Sequence, residues 1–280
     1  MLFPRLLRCH PGPVCTLLLA LLGSGCTAPQ APANANTNTN TNMLTVAVAW
    51  KQTAAEYEAL YYQAFNLAQM QVERAIGEHR QDAPPLAVIL DLDDTILDTR
   101  AYWASLLAAD QDFFDDSRWD AWIPSRQIRA SPGALAFLAY CVTNQVEVFY
   151  VTSRNQGLET YAYAEAQLRD NGFPHADSNH LTVLTDSSNK QLRQDQIAAN
   201  YTVVLKIGDN LNDFSRDYYS ADAETRKATM RRDQALFGSR YILLPNPTDG
   251  HWVRALFGES EPAASDANRR RFRQAAIEGK

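Results

Sequence analysis

Positive charge is in short supply in this 280-residue chain: 26 Lys and Arg stand against 32 Asp and Glu, a formal charge of −6. Such a chain has no electrostatic reason to bind DNA or RNA. Cysteine is scarcer still, with four in all, and three of them (Cys9, Cys15, Cys26) fall in the first 26 residues. Twelve Gly and thirteen Pro in a chain that is 46% hydrophobic exclude a collagen-like or globally disordered protein. The apolar run over residues 14–22 is about half the length that a bilayer-spanning helix needs.

That run follows Arg5 and Arg8 and leads into Gly23-Ser24-Gly25-Cys26. A basic start, a short apolar core and small residues before the cut describe a secretory signal peptide over residues 1–25. Small residues directly before a cysteine are also similar to the bacterial lipobox, in which the cysteine becomes the lipidated first residue. Cleavage there discards Cys9, Cys15, Arg5 and Arg8, and the charge moves from −6 to −8. With Cys26 lipidated, Cys141 is left as a core thiol in an apolar run, without a disulfide partner. Residues 28–42 (APQAPANANTNTNTN) are low in complexity and read, with Cys26, as a tether over 26–43. Thr27 is not the Asp that often marks inner-membrane retention, so the expected location is the outer membrane, through a lipid anchor, facing the periplasm or the surface. A soluble periplasmic protein with a spacer is the alternative.

The folded part is expected over residues 44–258, followed by a polar, basic tail (259–280) that carries the run RRRFR at 269–273. Apolar residues at helical spacing from Leu44 to Ile76 predict one or two helices. Short β-rich runs at 86–90, 146–151, 181–184, 203–207 and 241–244 read as strands buried on both faces. Helical patterns fill the gaps at 132–141, 158–171, 190–199 and 216–237. Strands alternating with helices predict an α/β fold with a parallel sheet flanked by helices. Chemistry in such sheets collects at the carboxyl ends of the strands.

Four of those strand ends carry unusual residues. Asp91-Leu92-Asp93-Asp94-Thr95 follows the first strand, and in extended chain Asp91 and Asp93 point to the same side. Two close carboxylates repel unless a cation sits between them. An acidic loop that caps a helix would explain some of these aspartates, but less readily all four of Asp91, Asp93, Asp94 and Asp98. Thr152-Ser153-Arg154 offers hydroxyls and N–H groups suited to phosphate oxygens. Lys190 opens a helix, where it can neutralise an anionic nucleophile and a phosphate together. Gly208 allows a tight turn before Asp209 and Asp213, which are hard ligands suited to Mg²⁺. Taken singly, Ser, Thr and Lys at turns and helix starts are unremarkable. Order and shared placement make the set informative.

These residues resemble the haloacid-dehalogenase (HAD) superfamily of phosphatases, with their DxDxT, Thr/Ser, Lys and GDxxxD motifs. More narrowly, ILDLDDTILDTRAY and VLKIGDNLNDF are similar to the signature segments of class C nonspecific acid phosphatases, a group that includes outer-membrane lipoprotein 5′-nucleotidases. The likeness extends from about Val46 to Trp252. Asp94 departs from it, standing where the class often has Glu. The resemblance implies a HAD-like Rossmannoid sheet and Asp91 as a nucleophile that forms an aspartyl-phosphate. Asp93 would act as acid and then base, with Thr152 and Lys190 on the phosphoryl oxygens. It also implies one Mg²⁺ held by Asp91, the Asp93 carbonyl and Asp209, with Asp213 in support. Trp119 matches a base-stacking position, and Ser153 and Arg154 would complete the substrate contacts. The partner aromatic is replaced by Asp249, which would relax or redirect nucleotide preference.

Only 37 residues separate Thr152 from Lys190, so there is no room for a large cap domain; residues 100–131 can form a small helical cover. An open site suits small phosphomonoesters, with nucleoside 5′-monophosphates among them. A narrow phosphatase, a phosphotransferase, or a surface lipoprotein that binds haem or another ligand on a phosphatase scaffold are the competing readings. His79, His175, His180 and His251 show no metal-ligand spacing and are expected to be surface or structural.

Overall fold

A computed structural model describes residues 42–279. The leader, Cys26 and all but the last two residues of the tether lie outside the described residues. The chain opens with α1 (Thr45–Thr53) and α2 (Ala55–Glu78), separated by one extended residue at Ala54. On α2, Tyr57, Tyr61, Ala64, Phe65, Ala68 and Val72 recur every three or four positions and are all buried, so this face packs onto the sheet. Glu56 and Glu58 favour its positive N-terminus.

The sheet is built from β1 (Leu86–Leu90), β4 (Glu147–Ser153), β5 (Leu181–Leu184), β6 (Thr202–Gly208) and β7 (Tyr241–Leu243), in the order β5-β4-β1-β6-β7 with every pairing parallel. All five residues of β1 are buried, as an unalternating apolar run requires in a central strand. Val88 and Leu90 join the larger core with α2, α5 (Ala134–Thr143) and α6 (Thr160–Asp170). Ala87 and Ile89 turn to the opposite face, where Phe149, Val151 and Ile197 of α7 (Gln191–Ala198) cover them. Cys141 is a free, buried thiol whose pKa burial pushes up to about 12.

Strand order reverses at β1: the chain moves outward through β4 and β5, then returns to β6 on the other side. The crevice of a doubly wound sheet lies at such a switch point, so the DLDDT loop leaves β1 where a ligand is expected.

Residues 100–131 contain α3 (Arg100–Ala108), α4 (Asp116–Trp122) and a single 3₁₀ turn. The base of this cover is closed by a short antiparallel pair, β2 (Leu97–Asp98) with β3 (Arg129–Ala130). The sequence shows no alternating run that would reveal it.

Two expectations change. The helix predicted over 216–237 is broken into a 3₁₀ turn, α8 (Ala223–Arg232) and a second 3₁₀ turn. Ser215 and Asp222 each accept a backbone N–H two or three residues on, and these caps restart the helix. The C-terminal tail is not wholly solvated. After α9 (His251–Phe257), α10 (Asp266–Glu278) docks through Arg269, whose guanidinium meets Asp112 at 2.6 and 2.9 Å, and through Phe272, stacked on Phe113 at 5.6 Å. The arginine run carried the one aromatic that makes the contact.

Candidate active site

The β1–β2 connection is a tight loop. Leu92 accepts the N–H groups of Thr95, Ile96 and Leu97, and Asp94 takes a left-handed φ of 52°. Aspartate tolerates that region better than most residues. The buried Tyr61 of α2 donates its hydroxyl to the Asp94 carbonyl at 2.6 Å. The Asp94 side chain accepts Lys51 Nζ at 2.9 Å and Thr99 Oγ1 at 2.6 Å on one oxygen, and Asn246 Nδ2 at 3.0 Å on the other. Lys51 is 1% exposed and also meets Thr248 Oγ1 at 3.0 Å.

Around this loop the strand ends converge on an open cleft of about 190 Å³. Asp91, Asp93, Thr152, Ser153, Lys190, Asp209, Asp213 and Trp119 all line it. Lys190 Nζ bonds both Asp91 Oδ1 and Asp213 Oδ1, the latter at 2.7 Å. Burial alone would depress the lysine, but the Asp213 and Asp91 carboxylates overcome it and hold Lys190 protonated above its ordinary range. Thr95 Oγ1 lies 3.4 Å from Asp91 and 3.3 Å from Asp209. Asn210 N–H donates to Asp213 Oδ2 at 2.9 Å, and a Cβ on Gly208 would overlap that carboxylate, which is why glycine stands there.

Arg154 does not line the cleft. Its buried guanidinium grips both oxygens of Asp93, at 2.5 and 2.6 Å, while Nη1 donates to Gln167 Oε1 at 2.7 Å. The expectation of a substrate contact is therefore corrected: Arg154 orients Asp93. Burial raises the Asp93 pKa, and Arg154 opposes that rise.

Asp91, Asp209 and Asp213 each bring a carboxylate oxygen within 4.8 Å of the others. Burial and mutual repulsion lift Asp209 well above the usual carboxylate range and also raise Asp213. Buried hard oxygens crowded in this way are relieved by a divalent cation, so the donor set fits one.

At the mouth, Trp119 is 7% exposed, stacked on Trp122 and edge-on to Tyr102, which leaves it little face for a ligand. Asp249 lines the same cleft, and burial lifts its carboxyl to about 6. His251 lines it as well, placed against Asn212 and Tyr219, with burial lowering its pKa to about 4. The site reading of the sequence left out Lys51, Thr99, Asn246 and His251. Of these, Lys51 alone left a local trace, as a cation three residues from the buried Val48 on one helix face.

A family described as the HAD superfamily, subfamily IIIB (acid phosphatase), matches residues 19–252. The chain belongs to this family. Among solved structures, the class C acid phosphatase from Bacillus anthracis superposes with a TM-score of 0.76 at 29% identity, over 83% of this chain and 95% of that one. The same phosphatase with tungstate bound gives 0.75 at 28%, with the same coverage. As an acid phosphatase of that family the enzyme is a phosphomonoester hydrolase, and its five-stranded parallel α/β sheet is similar to that of the class C enzyme.

Proposed function

We propose that the enzyme hydrolyses small phosphomonoesters through an aspartyl-phosphate on Asp91. The observation that carries this reading is Lys190, whose ammonium joins Asp91 from the end of β1 to Asp213 from the loop after β6. Asp91 is held with its second oxygen near Thr95 and aimed into the cleft, as an attacking carboxylate must be. Lys190 and Thr152 stabilise the phosphoryl oxygens, and Asp93, oriented by Arg154, gives a proton to the leaving oxygen and then takes one from water. Asp91, the Asp93 carbonyl and Asp209, supported by Asp213, would hold the divalent cation, which we take to be Mg²⁺. When bound, it supplies positive charge that offsets the carboxylates and phosphate.

Hydrolysis of an aryl phosphate should fall by roughly 10³-fold or more in Asp91→Asn and should be abolished by chelation and restored by Mg²⁺. Activity that survives both treatments would sink the mechanism. Comparing kcat/KM among nucleoside monophosphates, sugar phosphates and phosphotyrosine sets the substrate range. We take a nucleoside 5′-monophosphate as the finer reading, with the half-buried Phe114 in the cleft wall as the aromatic a base could meet, since Tyr102 and Trp103 are buried as fully as Trp119. We also place the enzyme at the cell envelope, tethered through a lipidated Cys26. The Cys26→Ala protein should leave the membrane fraction, and its retention there would dismiss the anchor.

A further inference from the structure

At the other end of the sheet, three residues that the sequence keeps apart come together. Glu147 opens β4, and His180 immediately precedes β5, the neighbouring parallel strand. His175 lies in the turn between α6 and β5 with a left-handed φ of 54°. Its ring sits 4.4 Å from that of His180, centroid to centroid. One ligand atom from each of Glu147, His175 and His180 falls within 4.8 Å of the others. Sequence spacing gave these histidines no metal-ligand pattern; it is the adjacent strand ends that bring them together.

We infer that Glu147, His175 and His180 form a second cation site, selective for a borderline transition ion such as Zn²⁺ over Mg²⁺. Two imidazoles and one carboxylate are a donor set for such ions, whereas Mg²⁺ takes oxygen ligands and keeps its waters. The geometry agrees. His180 Nε2 stands 3.1 Å from Glu147 Oε2, close to the edge of about 3.3 Å that two ligands span on a tetrahedral ion with bonds near 2.0–2.1 Å. The other nitrogen of His180, Nδ1, is 2.8 Å from Asp177 Oδ1, so Asp177 serves as the carboxylate that orients a metal-bound imidazole. Phe149 stacks on the same ring and fixes its plane. Among the described residues, no hydrogen bond engages the His175 ring, which leaves a nitrogen for a ligand role. Arg193, the one cation lining this hollow among the described residues, is drawn off to Thr182 Oγ1 and the Asn179 carbonyl.

Without an ion the cluster has a simpler explanation: a structural His180 held by hydrogen bonds between Asp177 and Glu147. The two accounts separate in one experiment. Glu147 lies five residues before Thr152 on β4, about 16 Å along the strand, so the two sites share no ligand. Zn²⁺ is titrated calorimetrically into the full chain in excess Mg²⁺, which occupies the oxygen site. The wild type should bind one Zn²⁺ that His175→Ala and Glu147→Gln weaken at least tenfold. Thermal melting should rise with Zn²⁺ in the wild type and not in His175→Ala, while Mg²⁺-supported phosphatase activity stays the same in both. Zn²⁺ binding that persists unchanged in both variants, or is lost instead in Asp91→Asn, would overturn the site. So would the absence of any Zn²⁺ binding beside Mg²⁺.

Discussion

Arg154 turns its guanidinium away from the cleft to both oxygens of Asp93. Its place after Thr152 and Ser153 suggested a phosphate contact, because a strand end with a guanidinium is what an anion needs. Nothing in that tripeptide reveals Gln167, thirteen residues on, or the turn of the side chain toward Asp93. The Asp93 carboxylate, to which we assign the acid–base role, is therefore held by a bidentate clamp. Arg154→Lys keeps the charge and loses the fork, so kcat should fall about 10²-fold while KM changes little. A rise in KM with kcat intact would return Arg154 to the substrate. Asp91, Asp93, Lys190, Asp209 and Asp213 were legible because their chemistry is local to strand ends. Asn246 and Thr99 were not, because small polar side chains at loops have many uses.

Elements were easier to read than their ends. The strands at 86–90 and 181–184 coincide with β1 and β5, but for different reasons: β1 is central and apolar throughout, whereas β5 (LTVL) is an edge strand that buries Leu181 alone. The 216–237 helix failed because its caps lie inside a helix-compatible run. Helix α1 matters more than its nine residues suggest, for it delivers Lys51 to Asp94 beneath the catalytic loop. Lys51→Met leaves a buried carboxylate short of its cation and should cost about 3 kcal/mol in urea unfolding. Adding Asp94→Asn should recover part of that loss. A double variant whose loss equals the sum of the two single losses would show that the pair is not coupled.

For the molecule as a whole, acid tolerance depends on opposing groups at the cleft mouth. His251 is half-buried, and besides this desolvation Arg226, Arg254, Lys190 and Arg216 disfavour its charge. Its folded pKa of about 4 lies below the unfolded value near 6.5, so its contribution to stability is present above 6.5 and is lost as pH falls toward 4. Asp249, raised to about 6, works in the opposite sense, losing stability as pH rises from about 4 to 6. Melting curves from pH 4 to 6.5 should show His251→Gln gaining on the wild type toward acid, by up to about 3 kcal/mol. A constant gap would mean that His251 does not titrate in this range.

The bond between Lys51 and Thr248 spans 197 positions of the chain. A ribosome makes α1 early, but its lysine must wait for nearly the whole polypeptide before its last partner exists. The loop that presents Asp91 thus reaches its final form late, and on the proposed mechanism an unfinished chain has little means of attacking phosphate esters.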